Sequence, residues 1–261
     1  MARFCTLASG SGGNSTYIST NDGDILVDAG ISCKALMSAI DEVGDVAKLC
    51  AVAITHTHID HTKGLKTFLK KAKLPLIAST PTLEKLAADD MIPAGIKVIS
   101  TESGMITVGN IGIEFFETSH DAVGSGGYSI ILPDGRRAAV CTDLGVVTKT
   151  VRQKLCGSNV VLIESNHDVE MLRRGPYAAE LKLRILSDKG HLSNVACASE
   201  LPSLLKSGTN RIILGHISAE NNTPDIALST ARASLAAVGA KDGEDYILIT
   251  AKPKTVGVTV F

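Results

Sequence analysis

The sequence predicts an α/β protein in which two sheets lie face to face with helices outside them. Three observations carry this reading. Continuous apolar runs such as "CAVAI", "NVVLI" and "RIILG" are strands flanked by other layers on both sides. Residues 105–143 have another texture, short apolar segments separated by Gly and Asp-Gly turns, as antiparallel strands require. Every histidine beyond the first cluster lies at or just past the end of a strand or in a loop, which suits stacked sheets whose strand ends converge. No long linker, repeat or low-complexity stretch interrupts the 261 residues, so one domain spanning 1–261 is the simplest organisation.

Residues 3–8 and 14–19 read as short strands around the glycine-rich turn "SGSGGN", and "DGDILVDAG" adds a third strand ending at Asp28. Ser32 is placed to cap a helix whose apolar Leu36, Ile40 and Val43 share one face. "CAVAI" follows as a buried strand with "THTHIDH" at its carboxyl end. "KGLKTFLKKA" reads as a helix, "PLIAS" as a strand, and "TPTLEKLAADD" as a helix with Thr80 at the cap and Pro81 at the first position, where a missing N–H is harmless. After the antiparallel block, "NVVLIES" and "RIILGHIS" are buried strands, each preceded by a helix candidate. "DYILITAKPKTVGVTVF" closes with two more strands.

An apolar content of 44% supports a substantial core. Lys+Arg 26 against Asp+Glu 27 leaves no global positive field to announce a nucleic-acid or membrane partner, while local phosphate binding stays open. The start, "MARFCTLASGSGG", turns polar too soon for a signal-peptide core. No stretch approaches the roughly 20 apolar residues needed to cross a bilayer. A soluble, cytoplasmic protein without membrane contact is expected. The cysteines are scattered, without a C-x-x-C pair and mostly within apolar segments, as reduced buried thiols are.

In "THTHIDH", residues 55–61, His56, His58 and His61 account for three of the chain's seven histidines. Such crowding loses hydration and sets like groups against one another, so it calls for compensation, usually by a cation. From one short loop, His56 and His58 can serve one ion while Asp60 and His61 reach a second. Imidazole and carboxylate ligands suit Zn, Mn or Fe, and the lack of cysteine in the cluster argues against a closed structural zinc. Three later residues end apolar strands in the same manner: His120 after "FFETS", Asp143 after "AAVCT" and His216 after "RIILG". His120 then finishes the first site and His216 the second, with Asp143 bridging two divalent metal ions.

This order, with Asp28 ahead of it, resembles the metallo-β-lactamase superfamily, whose motifs run early Asp, H-x-H-x-D-H, His, Asp and His. The resemblance spans nearly the whole chain and implies a four-layer αββα sandwich. It also implies that Asp28 orients the ligand loops as a hydrogen-bond acceptor. An aspartate at 143 resembles the dinuclear hydrolases rather than true lactamases with a cysteine there. "DKGHLSNVACASELPSLLKSGTNRIILGHIS" and "VVLIES" resemble the tRNA-processing RNase Z branch. That likeness implies that His191 contacts the scissile phosphate and helps protonate the leaving oxygen, with Glu164 tuning it. Without the likeness, His191 is a histidine near a helix start. Only 22 residues, 121 to 142, separate His120 from Asp143, too few for that branch's tRNA-binding arm.

A closer resemblance is to the bacterial YycJ/WalJ (VicX) family. "LASGSGGN", "VDAG", "THTHIDHTKGL", "SHDA", "TDLG", "ESNHDVEML", "ILSDKGHLSN" and "GHISAENN" are similar to its signatures, in its order. The resemblance implies a metal-dependent exonuclease acting from the 5′ end of double-stranded DNA, with a role in mismatch repair. In its mechanism a hydroxide held between two metals attacks phosphorus in line, and Asp60 is indispensable.

Weaker features stay open to two readings. "SGSGGN" either offers N–H groups to a phosphate, with Ser9 and Asn14 as substrate contacts, or is a tight strand connection. His167 in "SNHD" either anchors a terminal phosphate or braces its loop. Lys63, Lys66, Lys70, Lys71, Lys73, Arg173, Arg174, Lys182 and Arg184 either track a DNA backbone or form solvated faces. With no Trp, four Tyr and five Phe, platforms for stacking single-stranded bases are scarce, which favours a duplex. Two other functions fit the same ligands: a thioester or lactone hydrolase of glyoxalase-like type, and a regulatory protein using the fold as a binding surface. No protein partner is legible.

Overall fold

Strands that are apolar on both faces need cover on both faces. The computed structural model, which describes residues 2–21 and 23–261, shows how this chain supplies it. Met1, and Asp22 at the head of the third expected strand, lie outside the described residues. The first part runs β1 (Arg3–Ala8), β2 (Ser15–Ser19), β3 (Asp24–Val27), α1 (Cys33–Val43), β4 (Leu49–Ala53), α2 (Ile59–Thr62), α3 (Leu65–Ala72), β5 (Leu76–Ala78), α4 (Thr80–Ala88) and β6 (Val98–Ser100). The second runs β7 (Ile106–Val108), β8 (Ile111–Glu117), β9 (Gly126–Ile131), β10 (Arg137–Cys141), α5 (Lys149–Leu155), β11 (Val160–Glu164), α6 (Val169–Arg174), α7 (Ala179–Leu186) and α8 (Asn194–Lys206). It ends with β12 (Arg211–Gly215), α9 (Pro224–Ala236) and β13 (Ile247–Thr250), before β14 (Gly257–Val260) returns to the first sheet.

Each sheet has seven strands, in the orders β14-β1-β2-β3-β4-β5-β6 and β13-β12-β11-β10-β9-β8-β7. The central apolar strands are parallel, β3 with β4 and β10 with β11 and β12, whereas β7 to β10 pair antiparallel as the sequence predicts. Alternation inside the apolar runs sorts residues between layers. Ile25 and Val27 of β3 and Ala138 and Val140 of β10 meet between the sheets. Leu26 and Val52 face outward onto Leu36 and Ile40 of α1 and Phe68 of α3. Ala139 and Cys141 face the other way, onto Val151 of α5, Leu201 of α8 and Leu235 of α9. The result is the four-layer αββα sandwich.

Local signals explain most helix starts. Ser32 caps α1 by accepting from Ala35 N–H, and Leu36, Ile40 and Val43 are buried, as the spacing predicts. The cap of α4 is Ser79 rather than Thr80: its hydroxyl accepts from Thr82 N–H, and Pro81 falls one position later than expected. Ser79 also donates to the Gly124 carbonyl, a tertiary partner that the local sequence does not reveal. No helix among the described residues is long and apolar enough to cross a membrane.

Strand ends fix the site. Asp28 after β3, Asp143 after β10 and His216 after β12 adopt left-handed backbone angles, with φ of 62°, 60° and 51°. Among the described residues only Lys73 and Asp90 share that property without being glycine. A left-handed L-residue costs about 1–2 kcal/mol, so three of five such residues converging on one cleft marks a place where the chain accepts strain.

Candidate metal centre

Between β4 and α2 the chain turns sharply, placing His56 and His58 before the helix and Asp60 and His61 inside its first turn. Backbone bonds sew this loop to the end of β3: Ala29 N–H donates to the His61 carbonyl at 2.8 Å, and Gly64 N–H to the Ala29 carbonyl at 2.8 Å. Gly30 is essential to the approach, because a Cβ there would lie 1.7 Å from the Asp60 carbonyl oxygen.

The seven expected ligands meet. The rings of His56, His58 and His120 form a triangle with centroid separations of 4.7, 5.1 and 5.1 Å. Asp60, His61 and His216 form a second set, and in each set the candidate ligand atoms lie within 4.8 Å of one another. Asp143 stands between them, 3.1 Å from His61 Nε2, 3.2 Å from His216 Nδ1 and 3.9 Å from His120 Nε2.

Supporting bonds choose which nitrogen each imidazole presents. His120 Nδ1 donates to the Gly190 carbonyl at 3.1 Å, so Nε2 is left for ligation. His61 Nδ1 lies 2.8 Å from Asp28 Oδ2, and Asp28 also accepts from the N–H and hydroxyl of Thr55 at 2.9 Å. His216 Nδ1 meets Glu164 Oε1 at 2.6 Å. Asp28 thus bonds to one candidate ligand and to the loop ahead of it, the position that the resemblance implies.

Charge and burial act in opposition here. Burial alone lowers the pKa of His61, but Asp143 and Asp28 outweigh it and hold it at about 10. His216 is likewise raised against burial, by Asp143, Asp60 and Glu164. For His56 burial, then the neighbouring His61, outweigh Asp143 and push it well below the usual range, leaving a neutral ligand. Asp143 is held well below the carboxylate range despite its burial, by His216 and His61.

These residues fit divalent cations. His56 Nε2 and His216 Nε2 are buried without a hydrogen-bond partner, a costly state unless something else meets them. A donor set of imidazole nitrogen and carboxylate oxygen suits Zn, Mn or Fe rather than a closed thiolate site.

Residues expected outside the ligand sets divide. His191 Nδ1 lies 2.9 Å from Glu164 Oε1 and 3.7 Å from Asp143 Oδ1, and its side chain is 19% exposed, so it can meet a substrate. Glu164 is fully buried and does more than serve His191: it also holds His216 and accepts from Leu144 and Leu192 N–H at 3.1 and 3.0 Å. Burial opposes its charge, yet His191 and His216 bring its pKa down to about 2. His167 is 1% exposed, neither ring nitrogen has a partner, and burial lowers its pKa to about 4. Ser9 and Asn14 are buried and bonded within the protein, Ser9 to His216 N–H and Asn14 to Gly10.

Sequence reading missed a buried amide network behind the centre. Asn166 Nδ2 donates to the His216 carbonyl at 2.8 Å, and Asn194 Nδ2 to Asn222 Oδ1 at 2.8 Å. Asn222 Nδ2 donates in turn to the Ser165 carbonyl at 2.9 Å. The signal was the recurrence of asparagine just past strand ends, in "ESN" and "AENN".

Known proteins share this architecture. A family model described as "Beta-lactamase superfamily domain" matches residues 24–217. The exodeoxyribonuclease YycJ of Bacillus anthracis is 36% identical over 255 residues, covering 96% of each chain. The exodeoxyribonuclease WalJ of Streptococcus pneumoniae serotype 2 is 37% identical over 260 residues, covering 97% of this chain and 95% of its own.

The chain belongs to the YycJ/WalJ family of the beta-lactamase superfamily.

It is a hydrolase of the metallo-β-lactamase fold, which implies divalent-metal binding, and its His/Asp cluster could hold such ions. Among solved structures, the metallo-β-lactamase fold protein YhfI from Bacillus subtilis superposes with a TM-score of 0.73 at 17% identity, covering 99% of both chains. At that identity it speaks for the fold alone.

Proposed function

We propose that this hydrolase is a dinuclear phosphodiesterase, an exonuclease that degrades double-stranded DNA from the 5′ end in the cytoplasm, with a role in mismatch repair. The observation that carries this is the pair of three-ligand sets with Asp143 between them and His191 beside it. The exodeoxyribonuclease names of two relatives matched over nearly their full length support the DNA substrate.

Two divalent cations, Zn or Mn with Fe as a further choice, would supply charge for phosphoryl oxygens and acidity for a water molecule. The protein's own groups do the rest. Asp28 and Glu164 fix the orientation of His61 and His216. His191, its Nδ1 engaged by Glu164, offers Nε2 to the departing 3′ oxygen as a proton donor. His167, whose buried ring nitrogens have no partner within the protein, takes a terminal phosphate in this reading. Exposed Lys63, Lys70, Lys71 and Lys73 beside the metal loop neutralise backbone phosphates.

The test is release of nucleotides from a 5′-labelled duplex by metal-loaded protein, beside thioester and lactone substrates. Loss of cleavage in Asp60→Ala supports the reading. Good thioesterase activity with intact DNA would reverse it.

A further inference from the structure

His216 carries the strain of a left-handed backbone, so the peptide groups on either side of it need firm partners. On one side Asn166 grips its carbonyl. On the other, the Ser9 hydroxyl, from the loop between β1 and β2, accepts a 2.8 Å hydrogen bond from His216 N–H. That bond joins the first sheet's loop to the second sheet's ligand.

The same loop holds the other two members of the set. Asn14 N–H donates to the Asp60 carbonyl at 2.7 Å. Asn14 Nδ2 lies 3.3 Å from Asp60 Oδ2 and 3.0 Å from His61 Nε2. Asn14 also locks the turn itself, accepting from Gly10 N–H at 2.9 Å and donating to the Gly10 carbonyl at 3.2 Å. With Ser9 only 3% and Asn14 5% exposed, these bonds are screened from water. Among the described residues, neither side chain bonds to His56, His58 or His120; Thr55 supports His56, Gly190 supports His120, and His58 Nδ1 meets His120 Nε2.

We propose that Ser9 and Asn14 are positioning residues for the Asp60, His61 and His216 site alone, so that the loop between β1 and β2 governs loading of the second cation and not the first. This rests on the two-cation reading above. Removing the Ser9 hydroxyl leaves a buried N–H unpaired and lets the strained turn relax, moving His216. Removing the Asn14 amide frees the Asp60 carboxylate to swing away from His61. Outer contacts to metal ligands commonly change affinity by about 10- to 100-fold.

The experiment titrates metal-free protein, Ser9→Ala and Asn14→Ala with Zn²⁺ against a chromophoric chelator, and records the melting temperature of each metal-free sample. The unaltered protein is expected to bind two equivalents. Each variant should keep its first equivalent within about twofold and weaken the second by about 10- to 100-fold. Equal weakening of both equivalents, or no change in either, would overturn the proposal, because a general packing defect or a bystander loop behaves in those ways. Since the two variants act through different ligands, either one alone suffices if the other fails to fold. A single equivalent in the unaltered protein would remove the two-cation reading itself and the inference with it.

Discussion

Glu164 Oε1 lies 2.9 Å from His191 Nδ1 and 2.6 Å from His216 Nδ1, so one buried carboxylate holds both rings. Burial alone would drive His191 toward its neutral form, but Glu164 outweighs it and raises the pKa. A proton donor works only while protonated, so activity should hold below that raised pKa and fall as pH climbs through it. Glu164→Gln keeps the shape and removes the charge. Its alkaline limb should shift to lower pH, with kcat near pH 8 down by about 10- to 100-fold. A kcat profile with an unmoved alkaline limb would count against His191 as the donor.

Asp143 and Asp60 should fail differently. Asp143 touches ligands of both sets, whereas Asp60 belongs to one. Asp143→Ala is expected to weaken both Zn²⁺ equivalents and Asp60→Ala only the second, each by more than the about 10- to 100-fold typical of a supporting residue. Metal content after dialysis distinguishes the two variants.

Cation uptake should release protons. In the metal-free protein His61, at about 10, holds its proton at pH 7, and Asp143 with Asp60 and Glu164 pushes His216 in the same direction. Both must lose a proton to become ligands, so affinity rises with pH. Calorimetry in two buffers of different ionisation enthalpy measures the protons released. The sign for metal-free stability is opposite: the raised pKa of His61 contributes stability that is complete below its ordinary value near 6.5 and is lost as pH rises through about 10.

Gly30→Ala should disable the metal loop from a distance in sequence. The added Cβ would collide with the backbone carbonyl of Asp60 at 1.7 Å, where no rotamer change gives relief. A loss of about 1–3 kcal/mol in metal-free stability is expected, together with loss of the second Zn²⁺ equivalent. Urea unfolding of the metal-free variant measures the first effect.

Much of this was legible because it is periodic or local. The apolar strands, the Ser32 cap and the seven candidate ligands announce themselves through spacing and through their place at strand ends. The Ser79 cap did not, because its choice over Thr80 depends on Gly124, 45 residues away. Nor did the short α6 and α7 or the longer α9, where apolar residues are too few or too small to display a clear face: α6 buries only Leu172 and α7 only Ile185. Ser9 and Asn14 stand in a glycine-rich stretch whose composition suggests a phosphate nest, while their actual partners lie 207 and 46 residues off. Composition cannot report such distant pairings.

Each three-ligand set takes two members from the stretch after β4 and one from the other sheet, His120 or His216. Neither half of the molecule can therefore hold a cation as the complete protein does. During synthesis the cleft stays inert until residue 216 has emerged and the second sheet has docked. In the two-cation reading each bound ion would act as a rivet across the sandwich, and prying the sheets apart would mean expelling both. Chelation should accordingly loosen the seam between the sheets before it melts either one.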